Sequence, residues 1–313
     1  MKNLISTVLI GSLLLSIWGC TGGGAQRITR TPKHLSVGTK EVQKGTGWYE
    51  KGCYRRALTH FFNAHELFTA TDQQKGVAIS LNSIGNVYRH LGDNKSALLF
   101  FEEAISVYAG LDDRSGLLNA MSNKTATLID DGRLADAETL LDEAEELAGE
   151  NNLRPFQVFN NRGVLLTRNK DYGAAEESLL KAKRYADMGN PLESATVKFA
   201  LGILKMETGK YDDAVDLLSA ALDADRITGF HAGVAEDLNA LGTAYLKMEK
   251  YQTAAAYFKR SVKIFALLEN REKTAGVLSA LSEISLNAKV NMDMTTYFVD
   301  RWLAGDINEN PCK

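Results

Sequence analysis

Small and apolar positions recur along the chain with a period of about forty residues. In most copies an alanine follows an aromatic or apolar residue by three positions and precedes another apolar residue by four, as in Tyr54, Ala57 and Phe61. A second small residue, such as Gly45, lies twelve positions before each alanine. Such a period predicts a stacked helical array. The alanines, 38 to 40 residues apart, are Ala57, Ala97, Ala137, Ala175, Ala214 and Ala254, and the earlier small residues are Gly45, Gly85, Thr125, Gly163, Gly202 and Gly242.

Within each repeat the apolar positions predict two helices. In the second repeat, Ile84, Val87 and Leu91 follow a spacing of three and four, and the pair Gly92-Asp93 then interrupts the pattern. Residues at this spacing form one stripe on a helix, and an apolar stripe must be buried. Two helices cannot bury both of their stripes alone, so we expect neighbouring units to stack on one another.

The second repeat resembles the tetratricopeptide repeat, and the other repeats follow the same order more loosely. Units of about forty residues are similar to the long-unit branch of that family, which includes kinesin light chains and cell-polarity adaptors. The resemblance implies an all-α fold, a right-handed α-solenoid of about six to seven helix-turn-helix units that binds proteins in its concave groove. The residues that carry the match are Ile84, Gly85, Tyr88, Gly92, Ala97, Phe101 and Ala104.

The repeat spacing also divides the chain. We predict an array over residues 37–303, followed by a tail at 304–313 that is mobile. The predicted units are 37–72, 73–112, 113–150, 151–189, 190–228, 229–269 and a degenerate 270–303.

The first twenty residues are predicted to be a signal peptide. Lys2 is followed by an apolar run from Leu4 to Trp18, which is shorter than the roughly 20 residues that span a bilayer. The ending Ile17-Trp18-Gly19-Cys20 resembles the bacterial lipobox, which implies lipidation of Cys20. An uncleaved signal anchor, or an ordinary signal with a stray cysteine, is the alternative. The glycine-rich stretch that follows opens a predicted flexible tether over residues 21–36.

Lipidation implies a location in the bacterial cell envelope, anchored in the membrane. In a Gram-negative host, the absence of aspartate directly after Cys20 favours the outer membrane, with the array facing the periplasm. The formal net charge is −3 and no basic block occurs. Nucleic acid is therefore not an expected partner.

The remaining polar residues do not form a recognisable catalytic motif. His-Glu-x-x-His, Cys-x-x-Cys, phosphate-loop and nucleophile-elbow patterns are all absent from the sequence. We therefore expect no enzymatic activity, no cofactor and no metal site. Cys53 lies in the first unit and Cys312 near the end of the chain, so an extended array would hold them too far apart for a disulfide. Both are expected to be free.

Asparagines recur at positions that line the concave groove in the family that the chain resembles. Amides donate and accept hydrogen bonds together, so a line of them can hold the main chain of an extended peptide. Basic residues nearby would suit an acidic segment. The alternative is that these are ordinary residues of a polar surface. The predicted groove residues are Asn82, Asn86, Arg89, Asn119, Asn123, Gln157, Asn160, Arg168, Asn239 and Lys247.

The function that these patterns predict is a membrane-anchored scaffold that binds a protein or peptide segment in its groove. A second possibility from a different class is a pilotin-like or self-associating assembly factor for an envelope complex. The sequence does not determine the oligomeric state.

Overall fold

The structure, a computed structural model, describes residues 33–187 and 191–307 together with Cys312. Across these residues it contains fourteen helices and no strand, as the predicted all-α solenoid requires. The helices are α1 (Lys33–Glu50), α2 (Tyr54–Thr69), α3 (Gln74–His90), α4 (Asn94–Gly110), α5 (Arg114–Asp130), α6 (Leu134–Glu150), α7 (Phe156–Arg168), α8 (Tyr172–Ala186), α9 (Pro191–Glu207), α10 (Tyr211–Thr228), α11 (His231–Lys247), α12 (Tyr251–Leu267), α13 (Arg271–Ala288) and α14 (Asp293–Leu303).

Each predicted unit contains two consecutive helices, from α1 and α2 in the first to α13 and α14 in the seventh. The predicted signal peptide at 1–20, with Cys20, lies outside the described residues, as does most of the tether at 21–36. Helix α1 begins at Lys33, four residues before the predicted start of the array. The periodicity located the signature positions, and those carry no information on how far a terminal helix extends.

The signature positions form the contact between the two helices of each unit. All six signature alanines are completely buried. In the second unit, a Cβ atom added at Gly85 would overlap the ring of Phe101, and the same relation joins Gly45 to Phe61 and Gly242 to Phe258. Because glycine has no side chain, the first helix leaves a space at this position, and the aromatic ring of the second helix fills it.

The third unit solves the same packing problem with different residues. Thr125 stands where the other units have glycine, and Leu141 stands where the second unit has Phe101. Both residues are completely buried. The Thr125 hydroxyl donates to the Met121 carbonyl oxygen at 2.9 Å, so no buried hydroxyl is left unsatisfied.

Tight turns join the helices of a unit. Gly92 follows α3 with a φ of +81°, a conformation that costs glycine little because it has no Cβ. Asp93 then caps α4, since its carboxylate accepts a hydrogen bond from the Ser96 backbone N–H at 3.0 Å. This is the Gly-Asp break that the sequence pattern predicted.

The first unit contacts the sixth unit, and a disulfide joins the first unit to the C-terminal tail. Cys53 and Cys312 are bonded, with their Cα atoms 5.2 Å apart. The expectation that both cysteines are free and distant is therefore wrong, and so is the expectation of a mobile tail at Cys312. The repeat period reports the geometry of one unit, whereas the small rotation between neighbours accumulates along the array and brings its ends together.

The closure is packed as well as crosslinked. Tyr54, from the first unit, belongs to the same buried apolar cluster as Ala232 and Leu268 from the sixth. The turn residue Gly52 faces Leu268 directly. We call this contact between the first and sixth units, together with the disulfide, the closure.

Within the described residues, none of the helices is both long enough and apolar enough to cross a lipid bilayer.

Candidate functional site

A cavity of about 550 Å³ lies inside the array at the closure. Its walls come from the ends of α3 and α5, from α9, from the α10–α11 junction and from the α12–α13 turn. A volume of this size is typical of pockets that hold small ligands. We call it the closure cavity.

Much of the wall of the closure cavity is apolar. Phe199, Phe230 and Phe265 line it together with Leu192 and Leu268. Phe265 and Leu268 are buried, whereas Leu192 is exposed. The α9 side of the cavity therefore meets solvent.

Two buried carboxyl groups line the same cavity. Asp225 is 5% exposed and Asp237 is 2% exposed, and their side chains are hydrogen-bonded to each other. One oxygen of each, Oδ1 of Asp225 and Oδ2 of Asp237, has no hydrogen-bond partner. Burial raises the pKa of Asp225 to about 6. Burial, and then the neighbouring negative charge of Asp225, raise the pKa of Asp237 to about 8.

The cationic residues of the cavity are paired with acids from neighbouring units. Lys273 forms a 2.9 Å ion pair with Glu236, which joins α13 to α11. Arg89 contacts Asp130 at 2.8 Å, which joins α3 to α5. Burial lowers the pKa of His90 to about 3, and the charges of Arg89 and Lys273 act in the same direction. His90 is therefore neutral at pH 7.

Three of the predicted groove asparagines contact one another. The Asn123 amide on α5 donates to Asn82 Oδ1 on α3 at 3.1 Å and to Asn119 Oδ1 at 3.4 Å. Asn82 is buried, whereas Asn119 is exposed. These amides link the first helices of adjacent units, and Asn119 also remains open to solvent.

The predicted cations Arg89 and Arg168 converge on one acid. Arg168 donates to the Ile129 carbonyl oxygen at 2.7 Å and lies 3.7 Å from the Asp130 carboxylate that Arg89 contacts. Sequence reasoning missed Asp130. Asp130 lies 41 residues after Arg89, which is about one repeat. This spacing places the two residues on the first helices of adjacent units and could have predicted their contact.

The fourth unit contributes a buried amide pair. Asn161 donates to the Ser122 carbonyl oxygen at 2.7 Å, while Asn160 Oδ1 has no hydrogen-bond partner. Of the other predicted groove residues, Gln157 and Lys247 are exposed, and Asn86 and Asn239 are half-buried.

The predicted groove residues and the closure cavity are largely separate. Arg89 lines the cavity, and the other nine predicted residues, all within the described ranges, do not. Among the described residues no cluster of three or more histidine, cysteine or acidic side chains is arranged to hold a metal ion.

The repeats identify the family. One sequence model of the tetratricopeptide repeat matches residues 43–109 and 193–266, and a second model with the same description matches residues 127–191. Together these matches cover more than half of the chain, so the chain belongs to the tetratricopeptide repeat family. No curated protein matches the chain in sequence.

Solved structures share the fold at low sequence identity. One is a Rap protein complexed with Competence and Sporulation Factor, with a TM-score of 0.58 and 18% identity over 82% of this chain and 77% of that one. Another is the Rap conjugation gene regulator of the plasmid pLS20 in complex with the Phr* peptide, with a TM-score of 0.61 and 15% identity over 92% and 80%. A third is a STAND protein with a tetratricopeptide repeat sensor from Pyrococcus horikoshii, with a TM-score of 0.57 and 16% identity over 84% and 41%.

Proposed function

We propose that the chain is a lipid-anchored scaffold of the bacterial cell envelope that binds a protein or peptide segment on the first helices of its units. The exposed side chains of Asn119 on α5 and of Gln157 and Arg168 on α7 carry this proposal. They lie on adjacent first helices that are tied together by amide hydrogen bonds, so they present donors and acceptors on a fixed surface.

The structural relatives support a peptide as the partner. The two Rap structures with the same fold hold the Competence and Sporulation Factor and the Phr* peptide. An extended segment on this chain would be held by side-chain amides along its backbone, with Arg168 beside an acidic group. The scaffold itself would perform no chemistry.

The disulfide supports the proposed compartment. Disulfides such as Cys53–Cys312 form and persist in oxidising surroundings, which include the bacterial periplasm and the cell surface. The lipobox-like ending at Cys20 supplies the proposed anchor, because several acyl chains together hold a protein stably on a membrane.

The binding surface can be tested by photo-crosslinking in the producing cells. A photoreactive amino acid at Asn119 or Gln157 is expected to give a discrete crosslinked product, identified by mass spectrometry. The same amino acid at the exposed positions Glu138 and Glu146, on the second helix of the third unit, is the matched control. Equal crosslinking from all four positions would remove the proposal. A product made of two copies of this chain would support the alternative, self-association.

The anchor is tested separately. Replacing Cys20 by serine should abolish incorporation of labelled palmitate and move the protein from the membrane fraction to the soluble fraction. Unchanged fractionation of Cys20→Ser would show that lipid on Cys20 is not the anchor.

A further inference from the structure

We propose that the closure cavity binds an organic cation, a primary ammonium or guanidinium group on an apolar body, through Asp225 and Asp237. This site goes beyond the proposed scaffold function, because the cavity does not include Asn119 or Gln157. Failure of either proposal leaves the other standing.

Two carboxyl oxygens of residues that line the closure cavity are unsatisfied. Asp225 Oδ1 and Asp237 Oδ2 are buried without hydrogen-bond partners, although both residues line a cavity large enough for a ligand. Buried polar atoms are nearly always hydrogen-bonded, and an unpaired one is costly. An ammonium group offers three donors and a guanidinium group offers five, and neither offers an acceptor. Such a group, entering from the cavity, would offer these oxygens the donors that they lack.

A glycine leaves room for the Asp225 carboxylate. Gly233, in the first turn of α11, lies directly against the Asp225 carboxylate, and a Cβ atom at this position would overlap Asp225 Oδ2. The missing side chain lets Asp225, near the end of α10, share a hydrogen bond with Asp237 on α11.

The charged residues of the cavity wall are mainly acidic. Acids outnumber bases among the charged residues, and the two bases are already paired with Glu236 and Asp130. His90 is neutral at pH 7 because its pKa is lowered to about 3. The cavity therefore complements a positive ligand. The charged lining residues are Arg89, Asp130, Asp225, Glu236, Asp237, Glu272 and Lys273.

The apolar part of the cavity wall indicates an apolar body for the ligand. Phe199, Phe230 and Phe265 line the same 550 Å³ cavity as the two carboxyls. Pockets that are mainly apolar, with a few convergent polar groups, bind ligands of matching character. Phenylethylamine combines an apolar body with a terminal ammonium group, so it is a suitable probe of this cavity.

Binding is expected to depend on pH. The folded-state pKa values of Asp225 and Asp237 lie above the ordinary value of 3.8. The stability that these groups contribute is therefore present below about pH 4 and is lost as pH rises through 6 and then 8. A bound cation favours the ionised carboxyls, so its stabilising effect grows over the same range and its binding releases protons. The other groups that face the pair or the cavity are Tyr54, Arg89, His90, Asp130, Arg226, Glu236, Glu272 and Lys273.

The test compares two probes of nearly equal shape on the full-length chain. At pH 8 and millimolar concentration, 2-phenylethylamine should raise the melting temperature, and the uncharged 2-phenylethanol should raise it much less. The shift with the amine should be smaller at pH 5. No shift with the amine, or equal shifts with both probes, would overturn the proposal.

Isosteric variants connect the effect to the two acids. Asp225→Asn and Asp237→Asn should each weaken binding of 2-phenylethylamine by about tenfold or more, as expected for loss of a charge-assisted hydrogen bond. Asp213→Asn, at an exposed position on α10, is the matched control and should bind normally. Normal binding by both cavity variants would exclude this site.

A calorimetric measurement on the unmodified chain keeps the test decisive if the variants fail to fold. Titration of 2-phenylethylamine in two buffers of different ionisation enthalpy should show net proton release at pH 7. Binding without a change in protonation would contradict a role for the two carboxyls.

The natural source of the cation is distinguished by a further pair of probes. The dipeptide amide Phe-Leu-NH₂ carries a free amino terminus next to a phenyl ring, and its N-acetyl derivative does not. Binding of the free form alone assigns the site to a peptide terminus, whereas binding of 2-phenylethylamine alone assigns it to a small amine. Failure of both ligands would overturn the proposal.

Discussion

The packing inside each unit and the packing at the closure use similar apolar residues but differ in how the sequence encodes them. Inside the units, Gly85 and Phe101 meet at positions that return in almost every repeat. At the closure, the turn glycines Gly52 and Gly92 meet Leu268 and Glu272, residues that lie far along the chain and not at the repeat spacing. Periodic contacts add up unit by unit. The closure forms only when all of the units between its two sides are folded and stacked.

The largest expected effect concerns the core of a unit. Phe101 is completely buried, so Phe101→Ala should lower the free energy of unfolding by about 3–5 kcal/mol, because it removes apolar contacts and leaves a cavity. Urea denaturation followed by circular dichroism measures the loss. Leu99→Ala, at a side chain that is 61% exposed, is the control and should change stability by less than about 0.5 kcal/mol. Similar losses in both variants would contradict the assigned core.

Reduction of the disulfide tests the closure itself. Breaking the Cys53–Cys312 bond should lower stability by about 2–4 kcal/mol, since the bond joins residues 259 apart and restricts the unfolded chain. Hydrogen exchange should speed up in α1, α2, α13 and α14 and stay unchanged in α5 and α6. A double Cys53→Ser, Cys312→Ser variant should not respond to reductant. Uniform acceleration along the array would mean that the closure and the units unfold together.

A matched pair of glycines isolates the contact at the closure. Gly52 and Gly132 both have a φ of +77°, but Gly52 lies against Leu268, whereas an added Cβ at Gly132 meets nothing within 4 Å. Substitution by alanine strains the backbone equally in both. Gly52→Ala should therefore cost about 1–2 kcal/mol more than Gly132→Ala, the typical penalty of overpacking. Equal decreases in the melting temperature of the two variants would show that the Leu268 side chain moves aside without loss of stability.

The smallest effect is expected for the ion pairs that join the first helices. Asp130→Asn removes the partner of both Arg89 and Arg168. All three side chains are between 26% and 45% exposed, so solvent screens the pairs and the loss should stay below about 1 kcal/mol. The difference should shrink further in 1 M salt. A loss that persists at high salt would indicate that the contact is not mainly electrostatic.

The fold could be predicted from the sequence because the signature residues act locally. The contact inside the second unit is formed by Gly85, Ala97 and Phe101. The spacing of these residues along the sequence predicts which helix faces pack against each other. The closure could not be predicted in the same way. Whether Cys53 reaches Cys312 depends on a small rotation at every boundary between units, and no single repeat reveals that rotation.

The closure cavity was missed although the sequence contained a signal for it. Asp225 continues the buried stripe of α10 that runs through Leu218, Ala221 and Leu222. An acidic residue at an apolar position of a helical pattern is predicted to be buried, and a buried carboxyl group is costly unless another group pairs with it. The groove asparagines were recognised as a line, but their bonds to one another, such as Asn123 to Asn82, depend on the distance between units.

The disulfide also limits how this array can change its length. Open solenoids can gain or lose whole units, because each unit contacts only its neighbours. Here Cys53 and Cys312 meet after seven units. Deleting residues 113–150 would remove one complete helical pair and its share of the curvature, which would carry the two thiols out of bonding range. The number of repeats is thus set by a covalent bond as well as by folding.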